Sequence, residues 1–219
     1  MSDYDIDARN RVMRYPKRGA YDRETIHPII DEALICHVSF ALDGQPFIIP
    51  TIHARQDDRL LLHGLAGGRL LGYIEAGNPV AIALTIVDGL VCARTAFNQS
   101  MNYRSVVLFG RGRVLEEPEE KLAALRWLTD SVIPGRWEHV RAPTPKELKA
   151  TAIVAIDIEQ ASAKIRRGPP GDADDELEFP TWAGVIPLPV VPQPPETDPK
   201  QTADFAVPAH VQNYRRTPR

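Results

Sequence analysis

The chain has 219 residues, of which 43% are hydrophobic and 25% charged, so it can build a sizeable buried core without a disulfide framework. Lys and Arg number 26 against 29 Asp and Glu, and this net charge of −3 argues against a general nucleic-acid-binding protein. Two isolated cysteines and an acidic N-terminus without an apolar run predict a cytoplasmic protein with reduced thiols, no secretory signal and no membrane span.

The first predicted element is a helix that follows Asp22. Apolar side chains recur at i, i+3, i+4, i+7 and i+8 from Ile26 to Leu34, which is the spacing of one buried helix face. Asp22 and Thr25 are both suitable N-caps. Proline is tolerated only in the first turn of a helix, so Pro28 favours Thr25 as the cap.

Strand-like runs recur throughout residues 1–168. They cover 34–42, 46–54, 60–64, 79–87, 90–95, 103–115 and 152–158. The turn dipeptides Asp43-Gly44 and Asp88-Gly89 predict two β-hairpins, and Gly110 and Gly112 predict a bulge in the longest strand. Because tight turns join neighbouring strands, the sequence predicts an α+β domain over 1–168 that is dominated by antiparallel sheet, as in a barrel or a sandwich.

Three further helices are predicted between these strands. One covers 68–76 and ends at the stop signal Gly77-Asn78-Pro79. Another begins at Pro118 with acidic residues in its first turn. Its core-facing side chains are Leu122, Leu125, Leu128 and Val132. A short helix is predicted over 146–150.

Residues 169–219 have a different composition and are predicted to form a C-terminal arm. They contain 11 of the 20 prolines, which disfavours helix and most sheet pairing. The run 171–180 carries five acidic residues and no basic one, and we expect it to be a solvated spacer. Apolar side chains follow at Trp182, Val185 and Ile186, so we expect the arm to pack on the domain or on a partner subunit.

The segment 60–69, LLLHGLAGGR, carries the clearest local signal for a ligand. A strand leads into a glycine-rich turn and then into a helix with Arg69 in its first turn. Free backbone N–H groups, the helix dipole and an arginine favour a bound phosphate. A tight strand–helix connector with a solvated arginine is the alternative explanation.

Two other segments are rich in polar groups. Residues 97–105, FNQSMNYRS, place amides, a tyrosine and an arginine at the start of a strand, which suits either a planar heteroaromatic ligand or a hydrogen-bonded loop. Residues 162–170 place three cations at the end of the domain, where a solvated basic strand end is the simpler interpretation. His53 and His63 lie on neighbouring predicted strands, but a lone histidine pair is weak evidence for a metal, and no metal site is predicted.

Five segments occur in an order that resembles the pyridoxamine 5′-phosphate oxidase-related flavin-nucleotide-binding family, near its nitroimidazole-resistance members. They are LICHVSFALDGQPFIIPTIHAR, LLLHGLAGGRLL, DGLVCARTAFNQSMNYRSVVLFGRGRVLE, ASAKIRRGPP and WAGVIP. The resemblance covers roughly residues 10–190. It implies a split β-barrel homodimer that binds FMN in clefts at the subunit interface, with FAD as the less favoured alternative.

The resemblance also implies three groups of flavin-binding residues. The first would line the flavin ring: Pro50, Thr51, Ile52 and His53. The second would hold the ribityl phosphate: His63, Gly64, Gly68 and Arg69. The third would close the site: Asn102, Tyr103, Arg104 and Ser105. We add Trp182, which we expect to pack at the flavin cleft, on its own subunit or on the partner's.

The function that follows from this resemblance is flavin-dependent oxidoreduction on an unassigned small-molecule substrate, with nitro and quinone-like compounds as candidates. Oxidation of pyridoxamine phosphate itself is not predicted, because the segment 162–167 offers arginines but no histidine for the arginine–histidine pair which that reaction needs. A non-catalytic flavin or haem carrier, or a flavin sensor, is the alternative. Neither nucleic acid nor membrane is an expected partner.

Overall fold

A computed structural model of the chain describes residues 3–65 and 67–215. The strands are β1 (Gly19–Ala20), β2 (Ile35–Leu42), β3 (Gln45–Gln56), β4 (Arg59–Leu65), β5 (Val80–Cys92), β6 (Ser100–Val114), β7 (Thr151–Arg166) and β8 (Gly184–Pro187). The helices are α1 (Arg23–Glu32), α2 (Arg69–Glu75), α3 (Pro118–Val132), α4 (Pro145–Ala150) and α5 (Ala209–Gln212).

Six of the strands form a closed ring in which neighbouring strands are antiparallel. The order β7-β4-β3-β2-β5-β6 returns to β7, because β6 and β7 pair along most of their length. The two-residue strand β1 adds to β7, and β8 adds to the far half of β5. The predicted fold class, α+β dominated by antiparallel sheet with peripheral helices, is confirmed.

Two apolar clusters fill the structure. The larger one lies inside the ring and under α1, with fully buried side chains that include Ile26, Ile82 and Leu108. The smaller one joins the outer side of β3 and β4 to α3 through Ala54, Leu61 and Leu128. Alternate residues of β3 and β4 therefore serve two cores, which explains why these strands lack a simple alternating pattern of apolar and polar residues.

The structure corrects the predicted start of the first helix. Asp22, and not Thr25, is the N-cap: its carboxylate accepts a hydrogen bond from the backbone N–H of Thr25 at 2.7 Å. Pro28 consequently lies inside α1, where its missing N–H removes one helical hydrogen bond. The apolar face that Ile26, Ile29 and Ile30 bury in the core outweighs this loss.

The predicted hairpin at Asp88-Gly89 is wrong, because β5 runs through it as one bulged strand. The register against β6 shifts between Val87 and Gly89 and then continues to Val91. Gly89 is required by close approach of β8: a Cβ atom there would lie 2.8 Å from the carbonyl oxygen of Ile186. The dipeptide therefore bends a strand so that the arm can pair with it.

The predicted bulge in β6 is wrong, because Phe109 and Gly110 pair with Gln160 and Ile158, and the extra residue, Glu159, therefore lies in β7. The register against β7 shifts between Phe109 and Gly110, and a Cβ atom on Gly110 would lie only 2.0 Å from the carbonyl oxygen of Asp157. Only glycine allows the two backbones to approach so closely.

Part of the C-terminal arm packs on its own domain. Strand β8 pairs with residues 89–92 of β5. The acidic run is exposed at Asp174, Asp175 and Glu178, as expected of a solvated spacer. Asp172 is the exception, since its side chain is 1% exposed and accepts hydrogen bonds from the Arg94 backbone and guanidinium. Asn98 adds further hydrogen bonds to Asp172 and Glu176. Among the described residues, no helix has both the length and the apolar character needed to cross a membrane.

Candidate functional site

A pocket lies where α2 covers one end of the strand ring, and the glycine-rich segment forms one side of it. It has a volume of about 200 Å³. Its lining residues are Ile49, Thr51, Leu62, His63, Gly64, Gly68, Arg69, Leu70, Leu71, Ala152 and Val154. We call this the glycine-turn pocket. Ala66, in the middle of the predicted phosphate turn, lies outside the described residues.

Five of the predicted ligand-binding residues meet in the glycine-turn pocket: Thr51, His63, Gly64, Gly68 and Arg69. The apolar side chains that complete its wall were not predicted. Four of them come from β7 and α2, and no local motif marks them, because their sequence resembles that of ordinary core positions. The pocket combines an apolar wall with one cation, which suits an amphipathic ligand that carries an anionic end.

Arg69 is the cation of this pocket. Its guanidinium lies over the Phe47 ring, with the Cζ atom 4.4 Å from the ring centroid. Within the described part of the chain, no carboxylate lies within ion-pairing distance of Arg69. Because α2 has only seven residues, the helix dipole contributes little, and the arginine is the main source of positive charge.

The strand β3 divides its four predicted residues between two faces. Thr51 lines the glycine-turn pocket, whereas Pro50 and Ile52 are exposed on the opposite face. This outer face continues across the sheet, since Ile52 pairs with Ile35 and Pro50 with His37. Exposed apolar side chains on it are Ile35, Ile48, Ile52 and Val107. Contacts of Pro50 and Ile52 with a ligand would therefore be made from outside the ring.

His53 and His63 have different environments. His63 is exposed at the rim of the glycine-turn pocket. His53 is 5% exposed, and its Nε2–H donates to the Ile30 carbonyl of α1 at 2.9 Å. Burial lowers the pKa of His53, so its ring is neutral near pH 7. His53 lines a separate cavity between α1 and α3 and stays a prediction as a flavin contact.

The predicted closing residues on β6 lie outside the glycine-turn pocket. Arg104 is held by carboxylates on two sides, Glu32 of α1 and Asp88 of β5. Its Nε and Nη2 atoms lie 3.0 and 2.7 Å from Asp88 oxygens, and Nη1 and Nη2 bond to Glu32. These ion pairs raise the pKa of Arg104 and leave no edge of the guanidinium for a phosphate.

The other three predicted closing residues, Asn102, Tyr103 and Ser105, lie near the start of β6. Asn102 is buried and accepts a hydrogen bond from the Arg166 guanidinium. Ser105 donates to the Lys164 carbonyl at 3.3 Å, and Tyr103 lies directly opposite Arg166 in the register. All three stay predictions as ligand contacts, and contacts of Tyr103 and Ser105 would be with a molecule on the outer face.

Trp182 is 66% exposed and folds back against Gly184, where an added Cβ atom would lie 2.6 Å from the indole ring. It does not line the glycine-turn pocket of its own chain. Within the described ranges, no three His, Cys, Asp or Glu side chains are grouped closely enough to hold a metal ion.

Comparison with known proteins now adds to this geometry. The model of the pyridoxamine 5′-phosphate oxidase family matches residues 22–165, which include the ring of strands and the glycine-turn pocket. The chain belongs to this family. The match confirms the resemblance read from the sequence, and no curated protein sequence matches the chain.

Two solved structures are similar to almost the whole chain. The flavocytochrome Anf3 from Azotobacter vinelandii is 39% identical, with a TM-score of 0.90, and covers 95% of this chain and 97% of its own. The FAD and haem binding protein from Mycobacterium smegmatis is 36% identical, with a TM-score of 0.84, and covers 89% and 95%. A candidate 5-nitroimidazole antibiotic resistance protein from Bacteroides thetaiotaomicron, 22% identical with a TM-score of 0.58 over 67% and 86%, shares the fold.

Proposed function

We propose that this chain is a flavin-nucleotide-binding redox protein. The observation that carries the proposal is the glycine-turn pocket, in which an arginine without a carboxylate partner among the described residues lies at the end of an apolar wall. The two relatives above 35% identity support it, since one is a flavocytochrome and the other binds FAD and haem. When bound, the flavin supplies hydride or single-electron chemistry.

In this proposal, Arg69 and the backbone of Gly68 hold the flavin phosphate, and Thr51 and His63 flank the ribityl chain. The residues present fit such a group, because a guanidinium binds a phosphate through two hydrogen bonds. A pocket of about 200 Å³ is smaller than the roughly 300–1,000 Å³ that encloses a whole small-molecule ligand. The flavin ring would therefore extend out of the pocket, beyond His63.

The exposed outer face suggests what covers the ring. Its apolar side chains, Ile48, Ile52 and Val107 among them, form a patch of the kind that marks a subunit interface. We propose that two copies pair through this face, as the resemblance implies. Pro50, Ile52, Tyr103 and Ser105 would then meet the flavin across the interface, and the exposed Trp182 would reach the partner's cleft.

The identity of the flavin is the finer part of the proposal. The sequence resemblance favours FMN, whereas the relative from Mycobacterium smegmatis binds FAD. The C-terminal arm does not help to distinguish FMN from FAD. The glycine-turn pocket, as the described residues form it, does not extend far enough from Arg69 to enclose an adenosine. Both nucleotides carry the phosphate that Arg69 would bind, so the proposed role of Arg69 is the same for each.

Haem binding is a second candidate, as an addition to flavin binding. The names of both relatives above 35% identity include a haem or cytochrome function. His37 and His63 are the histidines that this chain exposes on its strands, and exposed imidazole nitrogens are suitable iron ligands. Flavin and haem in one protein would make electron transfer between them the function.

The test is a visible absorption spectrum of the purified protein, followed by chromatography of the flavin released on denaturation. We expect flavin bands in the blue region and release of FMN or FAD. A Soret band in addition would establish the haem. Colourless protein that also fails to bind added FMN and FAD in a fluorescence titration would contradict the proposed function.

A further inference from the structure

A second group of cations, for which the described chain supplies no counter-charges, lies on the outer face, away from the glycine-turn pocket. We call Arg18, Lys164 and Arg166 the Arg166 cluster. Strand β1 brings them together, since Gly19 pairs with Lys164 and Arg18 is the preceding residue. Arg166 lies two residues beyond Lys164 on the same face of β7.

Arg166 is the central member, and its position is unusual for a charged side chain. It is only 8% exposed, yet the structure gives it no carboxylate partner among the described residues. Its hydrogen bonds go to neutral oxygens, the Asn102 amide and the carbonyls of Gly168 and Pro169. Burial and the neighbouring Arg18 lower its pKa, which reflects how poorly its charge is compensated.

Other arginines of the same chain show what Arg166 lacks. Arg55 presents its Nε–Nη2 edge to Asp31 at 2.9 and 2.6 Å. Arg104 presents the same edge to Asp88 at 3.0 and 2.7 Å. In Arg166 the Nη2 atom has only the Pro169 carbonyl, and for Nε the described chain supplies no acceptor. Buried charges are normally paired, so this edge is suited to a ligand.

The two neighbouring cations strengthen this interpretation. Arg18 and Lys164 are half-buried, and neither forms an ion pair with a described residue. Arg18 stacks on the Tyr15 ring, with its Cζ atom 4.3 Å from the ring centroid. Three adjacent cations without an acid are conspicuous in a chain whose other arginines form many ion pairs and whose net charge is −3.

We propose that the Arg166 cluster is a binding site for an oxyanion, a phosphate or a carboxylate, held by the Nε–Nη2 edge of Arg166 between Arg18 and Lys164. This site is separate from the glycine-turn pocket, and Arg18, Lys164 and Arg166 are not among the residues proposed to contact the flavin.

The test is thermal unfolding of the purified full-length protein in sodium pyrophosphate and, separately, in sodium citrate. Ionic strength is held constant with sodium chloride, because exposed charges respond to salt alone. We expect a concentration-dependent rise in the unfolding temperature, from which an apparent dissociation constant follows. The more effective anion identifies the ligand as phosphate-like or carboxylate-like.

The variants Arg18→Gln and Lys164→Gln each remove one charge-assisted contact, and we expect each to weaken anion binding about tenfold or more. Lys146→Gln is the matched control, since Lys146 is an exposed lysine on α4 and not a member of the cluster. The variant Arg166→Lys keeps the positive charge of the side chain but removes the Nε–Nη2 edge that is proposed to bind the anion. If wild-type protein responds to neither anion beyond the chloride control, or if all variants respond alike, the site does not exist.

Discussion

Arg69 and Arg104 were both predicted to bind the same ligand, but the structure places them in opposite electrostatic environments. Arg104 lies between Glu32 and Asp88, and these carboxylates occupy its donors. Arg69 lies on the Phe47 ring and faces a pocket without an acid in the described chain. The comparison shows that an arginine is available for a ligand only where the fold has left its charge uncompensated, which a sequence motif does not reveal.

The largest effect should come from Arg104→Ala. Removing this side chain leaves Glu32 and Asp88 facing each other without the cation that joins α1, β5 and β6. Because all three groups are partly buried, we expect the free energy of unfolding to fall by about 2–4 kcal/mol. Urea unfolding measures it. Glu32→Gln should cost less, because it removes a charge and keeps the side-chain volume; an unchanged midpoint for Arg104→Ala would contradict the structural role.

Arg69→Ala should change flavin affinity far more than stability, whereas Arg104→Ala should change mainly stability. Loss of a charge-assisted contact to phosphate is worth about 1.5–3 kcal/mol, so we expect FMN affinity to fall about 10–100-fold and riboflavin affinity to stay nearly constant. Stability should change by less than about 0.5 kcal/mol, as for an exposed side chain. Fluorescence titration with both flavins measures the difference, and Arg69→Lys is the control that keeps the charge. Equal losses for FMN and riboflavin would exclude Arg69 as the phosphate ligand.

The buried histidines provide a smaller, pH-dependent effect. Burial lowers the pKa of His27 and His53, so the unfolded chain takes up protons first as the pH falls. Stability is therefore fully present above about pH 6.5 and is lost below it, by up to about 1.4 kcal/mol per pH unit for each histidine. Urea unfolding at several pH values measures this slope. His53→Gln should reduce it, whereas replacing the exposed His37 is the control; identical slopes would refute the assignment.

The smallest effect concerns how Arg69 is positioned. A cation over an aromatic face contributes about 0.5–1 kcal/mol at an exposed site, so Phe47→Leu should weaken FMN binding about 2–5-fold through Arg69. In an Arg69→Ala background the same change should have no effect on FMN binding. An undiminished effect in that background would show that Phe47 acts by packing alone.

Local sequence signals predicted the parts of this fold that depend on local chemistry. The Asp43-Gly44 turn and the stop at Gly77 are set by backbone conformations that few residues tolerate, and Gly110 is set by the close approach of the Asp157 carbonyl. The turn signal at Asp88-Gly89 failed because β8, about a hundred residues later in the chain, pairs across it. Both sites have the dipeptide Asp-Gly, but only Asp88-Gly89 lies in a strand to which β8, from a distant part of the chain, pairs.

The candidate site likewise contains some residues that local sequence signals identified and others that they did not. The glycine-rich segment identified Gly68 and Arg69 because a strand, a turn and a helix follow each other directly in the chain. Ala152 and Val154 complete the pocket from β7, and their sequence reads only as a core strand. The carboxylates that pair with Arg104 belong to residues 16 and 72 positions away in sequence. The sequence around Arg104 therefore could not show that its guanidinium is not free to bind a ligand.

The central claim is that the glycine-turn pocket binds the phosphate of a flavin nucleotide. The most direct measurement compares the affinities of FMN and riboflavin for the same wild-type, flavin-free protein at one ionic strength. These ligands differ only in the phosphate, so their ratio isolates the contribution of the pocket cation. We predict that FMN binds at least about tenfold more tightly, as expected for one charge-assisted phosphate contact. Equal affinities for FMN and riboflavin would contradict the account.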